Sequence, residues 1–433
     1  MKDLKIVAAS SLEALKNMGA QSASVSATYS ETREFNVDGG EFSLFRTLFD
    51  NSLVLTAIKD AKKGTAQVNH FDDEAIGEAA ASCIAAADAG EPDEAWEFAP
   101  GEGEHSFCEG VYEPDLDLLF ERCREFMADL SQQHPSIMME QMIVKHKKYE
   151  SVFATSNGSV FTEKGGYYNI SLMYSAHEGD KSSSFFGSEV STTDLSLPFM
   201  QLGSIKRDLT DVEKQIYPKP VEGKFEGTVV FTPGCFMEAV YYALASFTDG
   251  SSILDGTSLW KDKLGEKVAN DCLTVTLAPH REGAVGGDNW TGEGYLTEDC
   301  DIIKDGVLCS FLMNKYFANK TGQERTKNMD IGCMVVPAGD KSIADIIAGI
   351  DRGLVVSRVS GGNPASSGDF SMVAKNSFII ENGKVGDSVS EVMINGNLAE
   401  ILCNIRAISS DVESDGGYLM PWAAFDGVTI SGK

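Results

Sequence analysis

Apolar residues recur at helical spacing at the start of the chain and then at alternate positions. Six of them share one face of a helix predicted over residues 3–18: Leu4, Val7, Ala8, Leu12, Leu15 and Met18. From residue 23 the period changes to two, and Asp38-Gly39-Gly40 and Asp50-Asn51 indicate turns between successive strands. This pattern predicts an N-terminal helix followed by an antiparallel meander.

Two more helices and a long hairpin are predicted in the first half. Residues 75–87 and 114–134 carry apolar stripes at helical spacing. Asn157-Gly158 follows an alternating arm over residues 138–155 and is the strongest short-range hairpin signal, with further strands at 167–174 and 183–187. Residues 90–113 are rich in Gly, Pro and Glu and predict a connecting loop with a sub-boundary.

The second half begins with a continuous apolar run near residue 229, which predicts a buried strand. A helix over 233–247 follows, with Thr232 as its N-cap and Pro233 in its first turn. We expect a short helix or turn over 259–268, and a helix that starts at Ser342 and ends at Gly353. Everything else in this half reads as strand and turn.

Helices and strands are segregated along the chain, which favours an α+β fold over a doubly wound sheet. Pro218 and Pro220 impose an extended, linker-like backbone. We therefore expect an N-terminal domain of helices and meander over 1–220. A β-rich C-terminal domain with a few helices should cover 221–433.

Composition narrows the functional classes. The 433 residues have a net charge of −29, which argues against direct contact with nucleic acid. No apolar run approaches the ~20 residues that span a bilayer. The first residues lack the apolar core of a signal peptide, and the nine cysteines are odd in number and scattered. We therefore expect a cytoplasmic protein without disulfides or membrane contact.

Residues 366–411 alternate short apolar runs with Asn/Gly turns, as successive hairpins do. The segments are Ser-Ser-Gly-Asp-Phe-Ser from Ser366, Glu-Asn-Gly-Lys-Val from Glu381, Asn-Gly-Asn-Leu from Asn395 and Asn-Ile-Arg-Ala-Ile from Asn404. This succession resembles the C-terminal domain of the TldD/PmbA family. That family was first named for modulating DNA gyrase and is understood as a two-subunit metalloprotease system.

The resemblance also implies what this chain lacks. The metal-bearing subunit of the family carries His-Glu-x-x-x-His on a helix and a cysteine shortly before a Gly pair near the C-terminus. Helix 233–247 has no histidine, Glu238 is its only carboxylate, and Tyr241 and Tyr242 stand near the lost His-Glu. No cysteine precedes Gly416-Gly417 in the segment from Asp411. The resemblance thus implies the PmbA (TldE) branch, with no metal, cofactor or catalytic residue in this chain and zinc in a partner subunit.

Other metal and nucleophile patterns fail on ligand number. His177-Glu178 lacks a second histidine at metal-ligand spacing and leads into a Gly179-Asp180 loop. Ser371 has no histidine after it in the sequence to activate it.

Two segments are candidate binding surfaces. The glycine-rich loop at 361–370 would let a peptide backbone approach closely, and its candidate substrate-binding residues are Gly361, Gly362, Asn363, Gly368, Asp369 and Phe370. An ordinary loop with turn glycines is the alternative. Helix 233–247 is aromatic on more than one side, and its candidate interface residues are Phe236, Tyr241, Tyr242 and Phe247. Core packing is the alternative for these aromatic residues.

Two functions remain open. The resemblance favours the non-metal subunit of a peptidase that acts on unfolded or extended peptides, paired with a metal-bearing TldD-type subunit. The rival is a binding or scaffold protein that works as a homodimer without a peptidase partner.

Overall fold

The first half of the chain builds one sheet with helices packed on it. The computed structural model describes residues 3–364 and 366–432. Its first elements are α1 (Leu4–Asn17), β1 (Ser22–Asp38), β2 (Glu41–Lys59), β3 (Lys62–Val68), α2 (Asp73–Ala89), β4 (Glu104–Gly110), α3 (Leu116–Gln133), β5 (Ile137–Thr155), β6 (Val160–Glu178), β7 (Lys181–Ser182), β8 (Phe186–Thr192) and α4 (Ile205–Lys214). The strand order is β3-β2-β1-β5-β6-β4, and β7 and β8 also pair with β6.

Two apolar clusters lie at opposite ends of these long strands. One packs α1 and α2 against Val25 and Leu55, and the other packs α3 and α4 against Val37 and Met142. Within each cluster the helices bury the apolar stripe that their spacing provides.

The predicted turn at Asp50-Asn51 is wrong. β2 runs on through both residues, because Asp50 pairs with Ser30 and Asn51 with Tyr29 on β1. The chain reverses instead at Asp60 and Ala61, which both adopt positive φ. The predicted loop at 90–113 also contains a strand, since β4 pairs in parallel with β6.

The second half forms a larger sheet. Its elements are β9 (Lys219–Pro220), β10 (Lys224–Phe231), α5 (Pro233–Phe247), α6 (Gly250–Leu254), β11 (Val275–Leu277), β12 (Cys300–Lys304), β13 (Val307–Leu308), α7 (Lys315–Thr321), β14 (Met334–Val335), α8 (Ile343–Ala348), β15 (Arg352–Ser360), β16 (Asp369–Glu381), β17 (Lys384–Ser390), β18 (Val392–Asn397), α9 (Leu398–Cys403), β19 (Ile405–Ser414) and β20 (Leu419–Ser431). The order is β13-β12-β11-β14-β20-β10-β15-β16-β17-β9.

Five of these strands close on themselves. β20 pairs with β10, β10 with β15, β15 with β16, β16 with β18, and β18 returns to β20. α5 packs on this closed set of strands, and the aromatic rings of Phe236 on α5 and Phe425 on β20 lie 5.7 Å apart. The strand ring and α5 therefore share one apolar core.

The α+β fold class is confirmed, with two local corrections. α6, α7 and α9 occupy segments that were expected to be strand and turn. Residues 259–268 form turns, one of the two predicted options. α8 ends before Gly349 rather than at Gly353, and Gly353 lies in β15, where a Cβ would come 2.0 Å from the Thr228 carbonyl oxygen.

The two halves touch through specific contacts. Arg207 on α4 pairs with Glu413 on β19, and the Tyr316 hydroxyl donates to Asp93 at 3.0 Å. Pro220 belongs to β9, which pairs with β17. The boundary near residue 220 stays a prediction. No helix in the described ranges combines the length and apolarity needed to cross a bilayer.

Candidate functional site

Helix α5 has a buried side and an exposed side. Thr232 has the extended backbone of an N-cap and Pro233 occupies the first turn, as the sequence predicts. Phe236 and Phe247 are fully buried, and Phe247 packs against Trp260 at 4.9 Å between ring centroids. Core packing, the alternative for these aromatic residues, therefore accounts for Phe236 and Phe247, which present no surface to a partner.

The other two aromatic residues of α5 reach the surface. Tyr241 is 41% exposed, and Tyr242 is half-buried with its ring 5.9 Å from that of Tyr241. The interface prediction stays a prediction for this pair.

The end of the glycine-rich loop is fixed to the start of α9. Asn397 donates through Nδ2 to the Ser367 carbonyl oxygen at 2.8 Å and to Asp369 Oδ1 at 3.0 Å. The Leu398 N–H donates to the Gly368 carbonyl oxygen at 2.7 Å. Hydrogen bonds from Asn397 and Ser367 lower the pKa of Asp369. Asp369 is therefore a charged residue that already has partners.

Two of the loop glycines are required by close contact with the chain itself. A Cβ on Gly362, at φ +58, would lie 1.7 Å from the Ser371 carbonyl oxygen. A Cβ on Gly368, at φ +84, would lie 2.9 Å from Asn397 and 3.1 Å from Phe247. Gly361 also has a positive φ but faces open space. The turn-glycine alternative thus explains Gly362 and Gly368 without a substrate.

The loop and α5 meet at one cleft. Pro364 and Phe370 line it on one side, and Glu238 and Tyr242 line it on the other. Its volume is about 10 Å³, which is roughly the minimum for one water molecule. The cleft is closed in this conformation, while Gly361 and Asn363 lie exposed beside it.

The cleft has few ionisable groups, and burial shifts their pKa values. Burial raises the pKa of Glu238, and the nearby Arg358 opposes this rise. Burial and then the charge of Glu238 raise the pKa of Tyr242. Complete burial raises the pKa of Cys235 well above its usual value, so its thiol is a poor nucleophile.

Comparison with known proteins identifies the half of the chain that holds this cleft. Residues 223–432 match the family model for the PmbA/TldA metallopeptidase C-terminal domain. The second half of the chain is a PmbA/TldD-family domain. This finding confirms the resemblance seen in residues 366–411.

Relatives extend the likeness over most of the chain. An uncharacterised protein of Methanocaldococcus jannaschii is 24% identical over 92% of this chain and 93% of its own length. The metalloprotease PmbA of Escherichia coli O157:H7 is 32% identical, and the match covers 40% of each chain. The crystal structure of TldE from Thermococcus kodakarensis has a TM-score of 0.86 and 23% identity, and the match covers 97% of this chain and 99% of that one. This structural likeness shows a shared fold.

Helix α5 does not carry the histidines that the resemblance places on the helix of a metal-bearing subunit. α5 carries one carboxylate, Glu238, and no imidazole. Across residues 3–364 and 366–432, no three His, Cys, Asp or Glu side chains form a group that could hold a metal ion. The residues on α5 therefore do not fit zinc, which takes three or four N, S or O ligands.

Sequence reasoning missed the residues that bring the site together. Asn397, Leu398 and Ile401 on or beside α9 support the loop and the cleft. Asn397 belongs to the Asn395-Gly-Asn-Leu segment and precedes α9, so its capping pattern was a usable signal.

Proposed function

We propose that this chain is the non-metal subunit of a PmbA/TldD-type metallopeptidase. It would pair with a chain that carries His-Glu-x-x-x-His and contribute to cleavage of unfolded or extended peptides. The observation that carries this proposal is α5, which presents Tyr241 and Tyr242 near the position where the resemblance places the His-Glu of the other subunit. Hydrolysis would then depend on zinc and on the water it activates in the partner.

The loop beside α5 supports a role in holding peptide. Gly361 and Asn363 are exposed next to the cleft, and an extended peptide passing there would meet a backbone with little side-chain bulk. The anchored end at Gly368 and Asp369 would keep this surface in place while a peptide binds. The net charge of −29 supports a peptide rather than a nucleic acid as ligand.

Purification with native partners tests the proposal. Mass spectrometry should recover, near one-to-one, a second chain with His-Glu-x-x-x-His. The isolated chain should show no peptidase activity, and the mixture should cleave an unfolded peptide and lose activity with a chelator. Cleavage by the isolated chain in the presence of chelator, or stoichiometric zinc on it, would contradict the proposal.

A surface variant connects the pairing to α5. Tyr241→Asp should weaken the complex at least tenfold in sedimentation, because it puts a charge on the exposed side of the helix. Tyr217→Asp is the matched control, since Tyr217 is also exposed, at 55%, and lies outside α5. Equal affinity for the two variants would remove α5 from the interface.

One surface favours the homodimer alternative. Residues 41–50 of β2 are exposed, including Phe45 at 58% and Phe49 at 67%. This strand could pair in antiparallel fashion with the same strand of a second copy, with Leu48 opposite Leu48. Arg46 of each copy would then lie opposite Asp50 of the other, so the charges would be complementary. A stable dimer of the isolated chain that Phe49→Lys dissociates, with no metal-bearing partner recovered, would support this alternative.

A further inference from the structure

A second cavity, distinct from the cleft, lies between the two halves of the molecule and is lined by Arg358. Its volume is about 490 Å³, within the usual range for a small-molecule site. Ser184 and Phe185, between β7 and β8, line one wall. Strands β15, β16 and β17 form the opposite wall.

Two positive charges stand side by side on the sheet wall. Arg358 on β15 lies directly opposite Lys375 on β16 in the strand register, and both line the cavity. Like charges directly opposite on neighbouring strands destabilise a sheet. Within residues 3–364 and 366–432, neither side chain has an ion pair or hydrogen bond that would offset the repulsion.

Two carboxylates lie near this pair of cations. Glu391 also lines the cavity but is already engaged in an interaction of its own. Glu238 acts on Arg358 only at a distance, from the cleft beside α5. Among the described residues, neither of the two adjacent cations forms an ion pair with these carboxylates.

A buried amide at the same wall also lacks a partner. Asn376 lines the cavity, is 7% exposed, and its Nδ2 donor has no hydrogen-bond acceptor. An unsatisfied buried donor destabilises the folded chain. Its backbone also has φ +46, an uncommon conformation for a residue with a side chain. Two cations and a free amide donor together match the negative charge and the hydrogen-bond acceptors of an oxyanion.

We propose that this cavity binds an oxyanion, with Arg358 and Lys375 as the charged partners and Asn376 as the amide donor. The occupant we favour is the C-terminal carboxylate of a peptide, and this assignment rests on the proposed function. Ser360 lines the cavity and directly precedes Gly361, so the cavity adjoins the exposed loop. A peptide lying along that loop would have its end within reach of the two cations.

Binding of short peptides to the isolated full-length chain tests the inference. A fluorescent tripeptide with a free C-terminus should bind, and the same tripeptide with an amidated C-terminus should bind at least tenfold more weakly. Arg358→Gln and Lys375→Gln should each weaken binding of the free acid about tenfold. Lys384→Gln is the matched control on the neighbouring strand β17, outside the cavity lining, and should change binding less than twofold.

Competition with inorganic phosphate distinguishes a site for a peptide carboxylate from a site for phosphate. Competition by phosphate together with binding of the free-acid peptide supports the carboxylate assignment. Phosphate binding that depends on Arg358 while neither peptide binds would keep the anion site and overturn the peptide assignment. Equal binding of the acid and the amide, or equal effects of all three variants, would overturn the site itself.

Stability without ligand gives an independent readout. Lys375→Gln should raise the unfolding midpoint of the free chain, since it removes the repulsion with Arg358. A lowered midpoint would contradict the unrelieved repulsion between Lys375 and Arg358 from which the site is argued. The peptide-binding assay needs no metal-bearing partner. If the chain pairs with such a partner but does not bind the peptide, the anion-site inference is overturned and the proposed function is not.

Discussion

At the scale of single residues, the junction between the halves holds carboxyl groups in an unfavourable setting. Glu163 on β6 accepts a hydrogen bond from the Tyr149 hydroxyl at 2.8 Å. Burial raises its pKa to about 7, and the charges of Glu109 and Asp288 add to the rise. The folded chain therefore holds a proton on Glu163 more tightly than the unfolded chain does.

Glu163→Gln should flatten the pH dependence of stability. Because the folded pKa is raised from 4.5 to about 7, stability from this group is complete below pH 4.5 and is lost as the pH rises through 7. We expect the substitution to raise the free energy of unfolding at pH 8 by about 1–2 kcal/mol, since partial exposure reduces the full effect. Urea unfolding at pH 5 and pH 8 measures this.

The exposed Glu178 is the control for that experiment. Glu178→Gln should leave both stabilities unchanged within about 0.5 kcal/mol. An unaltered pH slope in Glu163→Gln would show that Glu163 is ionised in the folded chain at neutral pH.

At the scale of elements, the loop that leads into β16 holds its shape through close backbone contact. Gly362→Ala should destabilise the protein about 2–3 kcal/mol more than Gly361→Ala. Both positions have positive φ, which costs about 1 kcal/mol for alanine, but only Gly362 would clash with the Ser371 carbonyl oxygen. Urea unfolding of both variants measures the difference. Equal losses would mean that the loop stands away from Ser371 in solution.

Elements with strong local signals were predictable from the sequence. α1, α3 and α5 follow apolar stripes, and the β5–β6 hairpin follows Asn157-Gly158. The full length of β2 was not predictable, because its pairing with β1 overrides the turn tendency of Asp50-Asn51. α4 was missed although Ile205, Leu209 and Val212 follow the i, i+4, i+7 spacing of an amphipathic helix, so its stripe was a usable signal.

Individual residues of the site were predictable from the sequence, but their positions relative to one another were not. The sequence singles out Tyr242 and Phe370, which lie more than 100 positions apart, and only the closed strand ring places them at one cleft. The opposition of Arg358 and Lys375 depends on the register of β15 and β16. A shift of one residue would send every side chain to the other face, and the sequence alone does not fix that register.

At the scale of the whole molecule, an ion pair joins the halves. Arg207 on α4 contacts Glu413 on β19 and Asp208, and its side chain is 22% exposed. The guanidinium charge opposes the rise that burial causes in the pKa of Glu413. The pair therefore compensates a carboxylate that is held away from water.

Arg207→Ala should lower the free energy of unfolding by about 3 kcal/mol, because it leaves Glu413 and Asp208 without their cation. Lys219→Ala is the control. Lys219 on β9 pairs with Asp387 on β17, but that pair is exposed and its loss should cost less than about 1 kcal/mol. Urea unfolding of both variants gives the comparison. Losses of similar size would show that the Arg207 contact is well solvated.

The closed ring of strands also sets an order of events during synthesis. β10 and β20 are neighbours, although the paired residues Val230 and Ala424 are almost 200 positions apart. At about 5–20 residues per second a ribosome needs roughly 10–40 s to make the intervening chain. For that time the apolar surfaces of β10 and α5 have no closing strand. A nascent chain that stalls before β20 should therefore become a chaperone or protease substrate rather than a partly folded domain.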